Sequence, residues 1–335
     1  MEAWINTLIT LVIEALIFPG FMFIMGMIIF TQWWWRKAAA RMAYRRGPTR
    51  TGPAGILQPL ADFLKLLAKE DIRHSLMLRR LPVLITSFAV GAIITVLLFT
   101  PLSPVALWSP YDIVIVMYLL LWVAVSIALY GLSAPNPYTN LGVGRYLALL
   151  TVSEPALFAA FLVPTIVAAG INPATQYSLY WTIVNAASLW TSGLVNAAVM
   201  AVAAVAAFFA ILGVMTVKPF DFPEAEGEIY WGMFTEYGGP RLALGFFVAF
   251  AEKIVLPMLY VMLYLGGAAP FSFADNYVLA FVAVLLKYLA VFTLIALIDT
   301  MMPRYRPDQG IRFMIKYAIT PATIALIFAV AALTL

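Results

Sequence analysis

The sequence predicts an all-α, polytopic membrane protein with eight transmembrane helices and one amphipathic surface helix. Three observations carry this. Of 335 residues, 64% are hydrophobic and 11% charged, where a soluble chain of this size carries about 25% charged residues. Apolar runs long enough to cross a bilayer, about 20 residues, recur along the whole length. The period-2 alternation of a membrane barrel is absent, so the spans are helices, which satisfy their own backbone groups in lipid. No polar stretch is long enough to build its own core, so residues 1–335 are expected to form a single membrane domain.

The spans are predicted at 8–30, 82–101, 112–132, 146–168, 184–213, 241–265, 276–299 and 313–333. The N-terminus lacks a basic region and a small-residue cleavage site, so the first span reads as a retained helix and not a removed signal peptide. Between the first two spans lies loop 31–81. Within it, Ile56, Leu57, Leu60, Phe63, Leu64 and Leu67 form a helical stripe, while Gln58, Asp62, Lys65 and Lys69 fall off it. Pro59 suits a first turn. A helix over about 58–70 is too short to span and should lie along the membrane surface.

Orientation follows from the basic residues. All 20 lie in loops 31–81, 133–145, 214–240 and 300–312, at their helix edges, or inside spans as Lys253 and Lys287. The opposite loops, 102–111, 169–183 and 266–275, contain none. The positive-inside rule places the basic loops in the cytoplasm and both termini outside the cell membrane.

Two cytoplasmic loops are strongly charged and of opposite sign. Loop 31–81 carries eleven basic residues against Asp62, Glu70 and Asp71, a net charge of +8. Loop 214–240 carries Asp221, Glu224, Glu226, Glu228 and Glu236 against Lys218, a net charge of −4. On one face they are expected to attract each other. Topology and anionic-lipid binding explain a basic loop, and a solvated face is the plain alternative for the acidic one. Acids contribute little to orientation, however. Glu224, Glu226 and Glu228 at every second residue repel one another, a pattern suited to taking up and releasing protons.

Ionisable groups inside spans are costly and point to function or to interhelical pairing. Glu154 lies nine residues past Arg145, about 13 Å deep at helical rise. Glu252 lies eleven past Arg241, about 16 Å deep, with Lys253 adjacent. Lys287 sits in the middle of the seventh span, Glu14 in the outer half of the first, and Asp299 at the inner end of the seventh. Acids at graded depth, continuous with the acidic loop, read as a proton relay through Glu154 and Glu252. Lys253 and Lys287 read equally as structural pairs.

The chain has no cysteine and one histidine, His74. Iron–sulfur clusters need several thiolates and bis-histidine haems two imidazoles, and a zinc site is equally unsupported. No metal and no covalently bound cofactor is expected, so partner chains would hold the electrons. Nucleic acid is not expected as a partner.

The stretch Arg45-Arg-Gly-Pro-Thr-Arg-Thr-Gly-Pro-Ala-Gly-Ile-Leu-Gln-Pro-Leu-Ala-Asp-Phe-Leu-Lys-Leu-Leu-Ala-Lys-Glu resembles the first cytoplasmic loop of the complex I heel subunit, found in bacterial NADH-quinone oxidoreductases and in mitochondrial complex I alike. Lys218 through Gly238 is similar to that family's acidic loop, and Pro303-Arg-Tyr-Arg-Pro-Asp-Gln to its third signature. The resemblance implies a tilted helical bundle at the junction with a peripheral arm. It implies that Arg45, Arg46, Gln58, Asp62 and Lys65 line or support a quinone-type cavity and contact the arm. It implies that Glu224, Glu226 and Glu228 open a proton path continued by Glu154 and Glu252, with Arg36, Asp221, Glu236, Arg145, Lys287 and Arg304 as supporting residues. The implied partners are arm subunits carrying iron–sulfur clusters, antiporter-like membrane subunits and lipid. The chain would then couple redox chemistry to proton or sodium movement without being catalytic alone.

Some residues depart from the quinone-type pattern. Trp35-Arg36-Lys37 stands where the family usually has Glu-Arg-Lys, Ala43 replaces a Gln, and Glu236-Tyr-Gly-Gly-Pro replaces Glu-Tyr-Ser-Gly. Pro135-Asn-Pro-Tyr and Ser153-Glu-Pro look more like relatives in membrane-bound [NiFe] hydrogenases and sulfur-reducing complexes, which need no quinone. That equivalent subunit is the main alternative. A secondary transporter is a distant one, because inverted repeats and broken midplane helices are not evident. A purely structural anchor would leave the buried acids unexplained.

Overall fold

The computed structural model describes residues 2–334, with the side chains of 2–6, 8 and 334 outside the description. It is all-helical, with no strand among the described residues. Among the described residues, eight helical segments are long and apolar enough to cross a membrane. The first combines α1 (Glu2–Leu16) and α2 (Phe21–Met42), separated by a break at 17–20. The amphipathic surface helix α3 (Gln58–Ala68) follows, then α4 (Leu81–Leu98), α5 (Asp112–Leu132) and α6 (Pro137–Ile171). Two short helices, α7 (Leu179–Val184) and α8 (Ala186–Leu189), precede α9 (Leu194–Val214). The acidic loop holds the single turn α10 (Glu226–Ile229). Helices α11 (Gly239–Tyr264) and α12 (Tyr277–Met301) come next. The last span is α13 (Pro307–Met314), a π turn over Ile315–Ile319, and α14 (Thr320–Thr334).

Helices overrun the hydropathy limits where charges begin, because a helix need not stop at the membrane surface. Arg36, Lys37 and Arg41 belong to α2 and not to a loop. The fourth span begins at Pro137 instead of 146, since the Asn136 side chain caps it by accepting from the Tyr138 N–H at 2.9 Å. The loop expected at 133–145 therefore shrinks to 133–136. The fifth span starts at Leu194 instead of 184. The apolar residues before it form α7, α8 and a turn at Gly193, whose φ of 157° interrupts the helix.

Small residues let the spans approach closely. Ala203, Ala206, Ala207 and Ala210 make a fully buried stripe on α9, and Ala156, Ala159 and Ala160 a buried cluster on α6, the helix against which α9 packs most extensively. The acidic loop reaches α6 just as closely. A Cβ at Gly142 would meet the Gly232 Cα at 2.7 Å. α11 and α6 are the most enclosed spans. α11 contacts α2, α3, α4, α5, α9 and α12, which makes it the wall shared by whatever lies between them.

Three charged groups are absorbed into scaffold. Lys287 donates its Nζ to the carbonyls of Leu265, Gly267 and Ala269 at 2.8, 3.0 and 2.8 Å. It closes the C-terminal end of α11. Glu14 accepts from the Ser103 hydroxyl at 2.5 Å and the Val105 N–H at 3.0 Å, which fastens α1 to the loop between α4 and α5. Arg241, buried at the start of α11, holds loop 69–80 through Asp71 Oδ2 at 3.3 Å and the Arg79 carbonyl at 3.0 Å.

Candidate functional site

α3 packs against α2 and α11 and turns Phe63 and Leu66 inward, while Leu57, Leu64 and Leu67 of the predicted stripe stay exposed and its polar edge is free to clamp. Arg36 on α2 donates to Asp62 Oδ2 at 2.7 Å, and Gln58 donates to Asp62 Oδ1 at 3.0 Å. Thr51 in turn donates to Gln58 at 2.5 Å, and Lys65 stands 4.0 Å from Asp62. Desolvation works to raise the Asp62 pKa. The hydrogen bonds from Arg36 and Gln58 and the charges of Arg36 and Lys65 outweigh it and hold the carboxyl below its usual range.

Under this clamp lies a cavity of about 570 Å³ between α2, α3 and α11. Its walls are mostly apolar: Ile28 and Ile29 of α2, Phe63 and Leu66 of α3, Phe246 and Phe247 of α11. Arg36, Asp62 and Lys65 line it. A second cavity of about 350 Å³ adjoins it under the acidic loop and is lined by Asp221, Glu224, Glu226, Asp299 and Arg304. Gln32, Glu224, Trp231, Phe250 and Lys253 line both, so the two spaces meet at a neck.

The acids of the loop are held separately. Arg304 donates to Asp221 through Nε at 2.8 Å and Nη2 at 2.7 Å, and this hydrogen bond raises the guanidinium pKa against opposing desolvation. Arg145 donates to Glu228 at 2.6 Å. Glu224 accepts from the Thr216 hydroxyl at 2.9 Å, Glu226 from the Trp231 indole N–H, and Glu236 from the Asn136 side chain. Among the described residues no ion pair joins this loop to loop 31–81, so the expected attraction is not a direct contact. The reason is proximity: Arg145 and Arg304 flank the acidic loop, whereas Arg45, Arg46 and Arg50 are exposed and line neither cavity.

Glu154 and Glu252 are 3% and 4% exposed, on facing spans α6 and α11. Glu252 feels the charges of Glu154 and Glu224, and the buried Tyr146 feels all three. Neither carboxylate oxygen of Glu154, nor the Tyr146 hydroxyl, has a hydrogen-bond partner among the described residues. The structure thus places Asp62 and Lys65 at the first cavity, Glu224 at the neck, and Glu252, Tyr146 and Glu154 buried on α11 and α6. Gln58 supports the clamp without lining the cavity, and Glu228 is turned to Arg145. Sequence reasoning missed the neck residues Gln32, Trp231 and Phe250 and left Lys253 undecided. Gln32 sits with Thr31 between the apolar runs of α2, a polar interruption that was the available signal.

The family model described as NADH dehydrogenase matches residues 15–330. The chain is 33% identical to the H subunit of the NADH-quinone oxidoreductase of Thermomicrobium roseum, with 85% of each chain covered. It is 29% identical to the H subunit of the F(420)H(2) dehydrogenase of Methanosarcina acetivorans, covering 98% of this chain and 93% of the relative. Among solved structures, a chain of the membrane-bound sulfane sulfur reductase, an archaeal respiratory membrane complex, superposes with a TM-score of 0.74 at 26% identity. That match covers 98% of this chain and 100% of the other.

Proposed function

The chain belongs to the NADH dehydrogenase family, and on that premise we propose that it is the heel subunit of a complex I-like respiratory assembly, coupling redox chemistry in a docked arm to proton or sodium movement. The observation that carries this reading is the arrangement of two adjoining cavities that share an acid–cation neck, together with a buried carboxylate pair on α6 and α11.

In this reading the exposed Arg45 and Arg46 meet the peripheral arm, whose subunits carry the iron–sulfur clusters. The basic loops face the cytoplasm and both termini lie outside. The first cavity has the size of small-molecule sites, about 300–1,000 Å³, and mostly apolar walls with polar groups at the clamp and at the neck, which fits a quinone-type ligand. When bound, such a ligand would accept electrons from the arm. The chain's own residues orient its head and exclude water. Glu224 at the neck receives the change in charge and passes it to Glu252 and Glu154. Buried oxygens without protein partners, such as those of Glu154, are ordinarily met by ordered water, and water beside ionisable groups is what a relay needs. Antiporter-like membrane subunits would carry the ion movement onward.

A second reading is the equivalent subunit of a sulfur-reducing complex or membrane-bound hydrogenase, in which no quinone is reduced. The full-length superposition on the sulfane sulfur reductase chain favours it. Both readings share the coupling role. Redox-difference infrared spectroscopy of the intact complex tests that role. A carboxyl C=O band should change on turnover and vanish when Glu224, Glu226 and Glu228 are all replaced by Gln. Identical difference spectra for both proteins would mean that these acids keep their protonation, and the coupling role of the loop would fall.

A further inference from the structure

The spans α4 and α5 form a groove of about 570 Å³ that shares no lining residue with the two cavities. Leu84, Phe88 and Gly91 of α4 line it with Leu119 and Trp122 of α5. Leu84, Phe88 and Trp122 are exposed there, inside membrane-spanning segments. None of the lining residues is charged. The hydroxyls that reach it are already spent on their own helix. Ser87 donates to the Val83 carbonyl and Thr95 to the Gly91 carbonyl, both at 2.8 Å. The groove therefore offers hydrocarbon and no unmet polar group.

Its length selects the occupant. On α4 it runs from Leu84 to Thr95, about 16 Å at helical rise. One leaflet of hydrocarbon is half of about 30 Å. Past Thr95 the residues Val96, Leu97 and Leu98 are buried in the chain's own core. The groove thus matches one acyl chain, whereas a second spanning helix would need a free face along the whole of α4. One turn before Leu84 stands Arg80. The Leu84 N–H donates to the Arg80 carbonyl at 3.1 Å, so Arg80 is already in helical register and shares the face of Leu84 and Phe88. It is exposed, and among the described residues it makes no ion pair. An exposed arginine needs no partner in water. What matters is its place, a cation at headgroup level closing one end of an apolar groove.

We infer that this groove binds one anionic phospholipid of the leaflet on the side of the charged loops, its acyl chain between α4 and α5 and its phosphate head against Arg80. The guanidinium fork matches two phosphate oxygens. A zwitterionic lipid presents the same phosphate, but its ammonium group offsets the charge, so it binds more weakly. The site is independent of the coupling scheme, whose residues lie at the other cavities.

The test is photolabelling of the intact complex in bilayer discs of equal phosphatidylglycerol and phosphatidylcholine, one of the two carrying a diazirine in its acyl chain. Mass spectrometry reads the labelled positions on α4 and α5. Phosphatidylglycerol should label the groove about fivefold more than phosphatidylcholine, the worth of one basic residue at an anionic surface. Arg80→Gln should remove that preference and Arg80→Lys should keep it. A Cβ at Gly91 meets nothing within 4 Å, so Gly91→Leu should fill the groove and suppress labelling there by both probes. Equal labelling of the wild type by the two probes would make the occupant ordinary solvating lipid and overturn the inference without any variant. No labelling by either would mean that another subunit's helix covers the groove, which overturns it too. A preference that survives Arg80→Gln would place the head elsewhere, with the same result.

Discussion

Removing the ion pair between Asp221 and Arg304 should loosen the acidic loop from the last span. The pair is bidentate, at 2.8 and 2.7 Å, with the Arg304 and Asp221 side chains 28% and 14% exposed. Hydrogen bonds to charged groups contribute about 1.5–3 kcal/mol each. Partial exposure screens them, so the pair as a unit should be worth about 2 kcal/mol. Arg304→Gln leaves Asp221 facing Glu224 and Glu226 in the smaller cavity without its cation. Asp221→Asn leaves Arg304 with an amide. Each single change should therefore cost about 2 kcal/mol, and the double change scarcely more. Thermal unfolding of the purified complex measures this, with amide exchange across 215–238 as the local probe. A coupling energy of about 2 kcal/mol is expected from the double-mutant cycle. Additive single effects, with coupling under about 0.5 kcal/mol, would show that the loop is held elsewhere, by Arg145 and Glu228 or by the Gly142–Gly232 approach.

Three further outcomes follow from the site. Reversing Arg45 and Arg46 to Glu should release the peripheral arm, because two charge reversals against an acidic partner cost several kcal/mol; intact co-purification of the arm would refute docking through this loop. Glu252→Gln keeps shape but cannot ionise, so ion transport per electron should drop sharply while the complex assembles, and unchanged transport would make Glu252 a structural residue. The clamp at α3 should respond to acid: a carboxyl with a depressed pKa stabilises fully above its unfolded value, about 3.9, and loses that contribution as pH falls through its folded value. Protection of residues 58–68 from proteolysis should therefore hold down to about pH 4 and then decline. Asp62→Asn should remove that decline, and a decline of equal size in the Asn protein would assign it to other carboxylates.

Much of the architecture was legible in the sequence because bilayer thickness and backbone satisfaction leave few solutions. The eight spans, the surface helix and the all-helical class follow from composition, run length and a single amphipathic stripe. The acids at depth, Glu154 and Glu252, were legible too, since an ionisable residue in an apolar run stands out by itself. The ends of the spans were not, because a cap such as Asn136 or a turn such as Gly193 decides where a helix stops, and hydropathy does not register either.

What the sequence could not decide was which charges meet. Net charge suggested that the basic and acidic loops would pair, but Coulomb attraction between exposed groups is weak and short-ranged in water. The acids went instead to Arg145 and Arg304, which helix packing brings within reach. Lys253 and Lys287 are chemically alike and similarly placed in their spans. Tertiary structure gave one three carbonyls to close a helix end and left the other facing a neck between cavities. The physical reason is that burial sets the cost of a charge, but only the neighbours assembled by packing determine how that cost is offset.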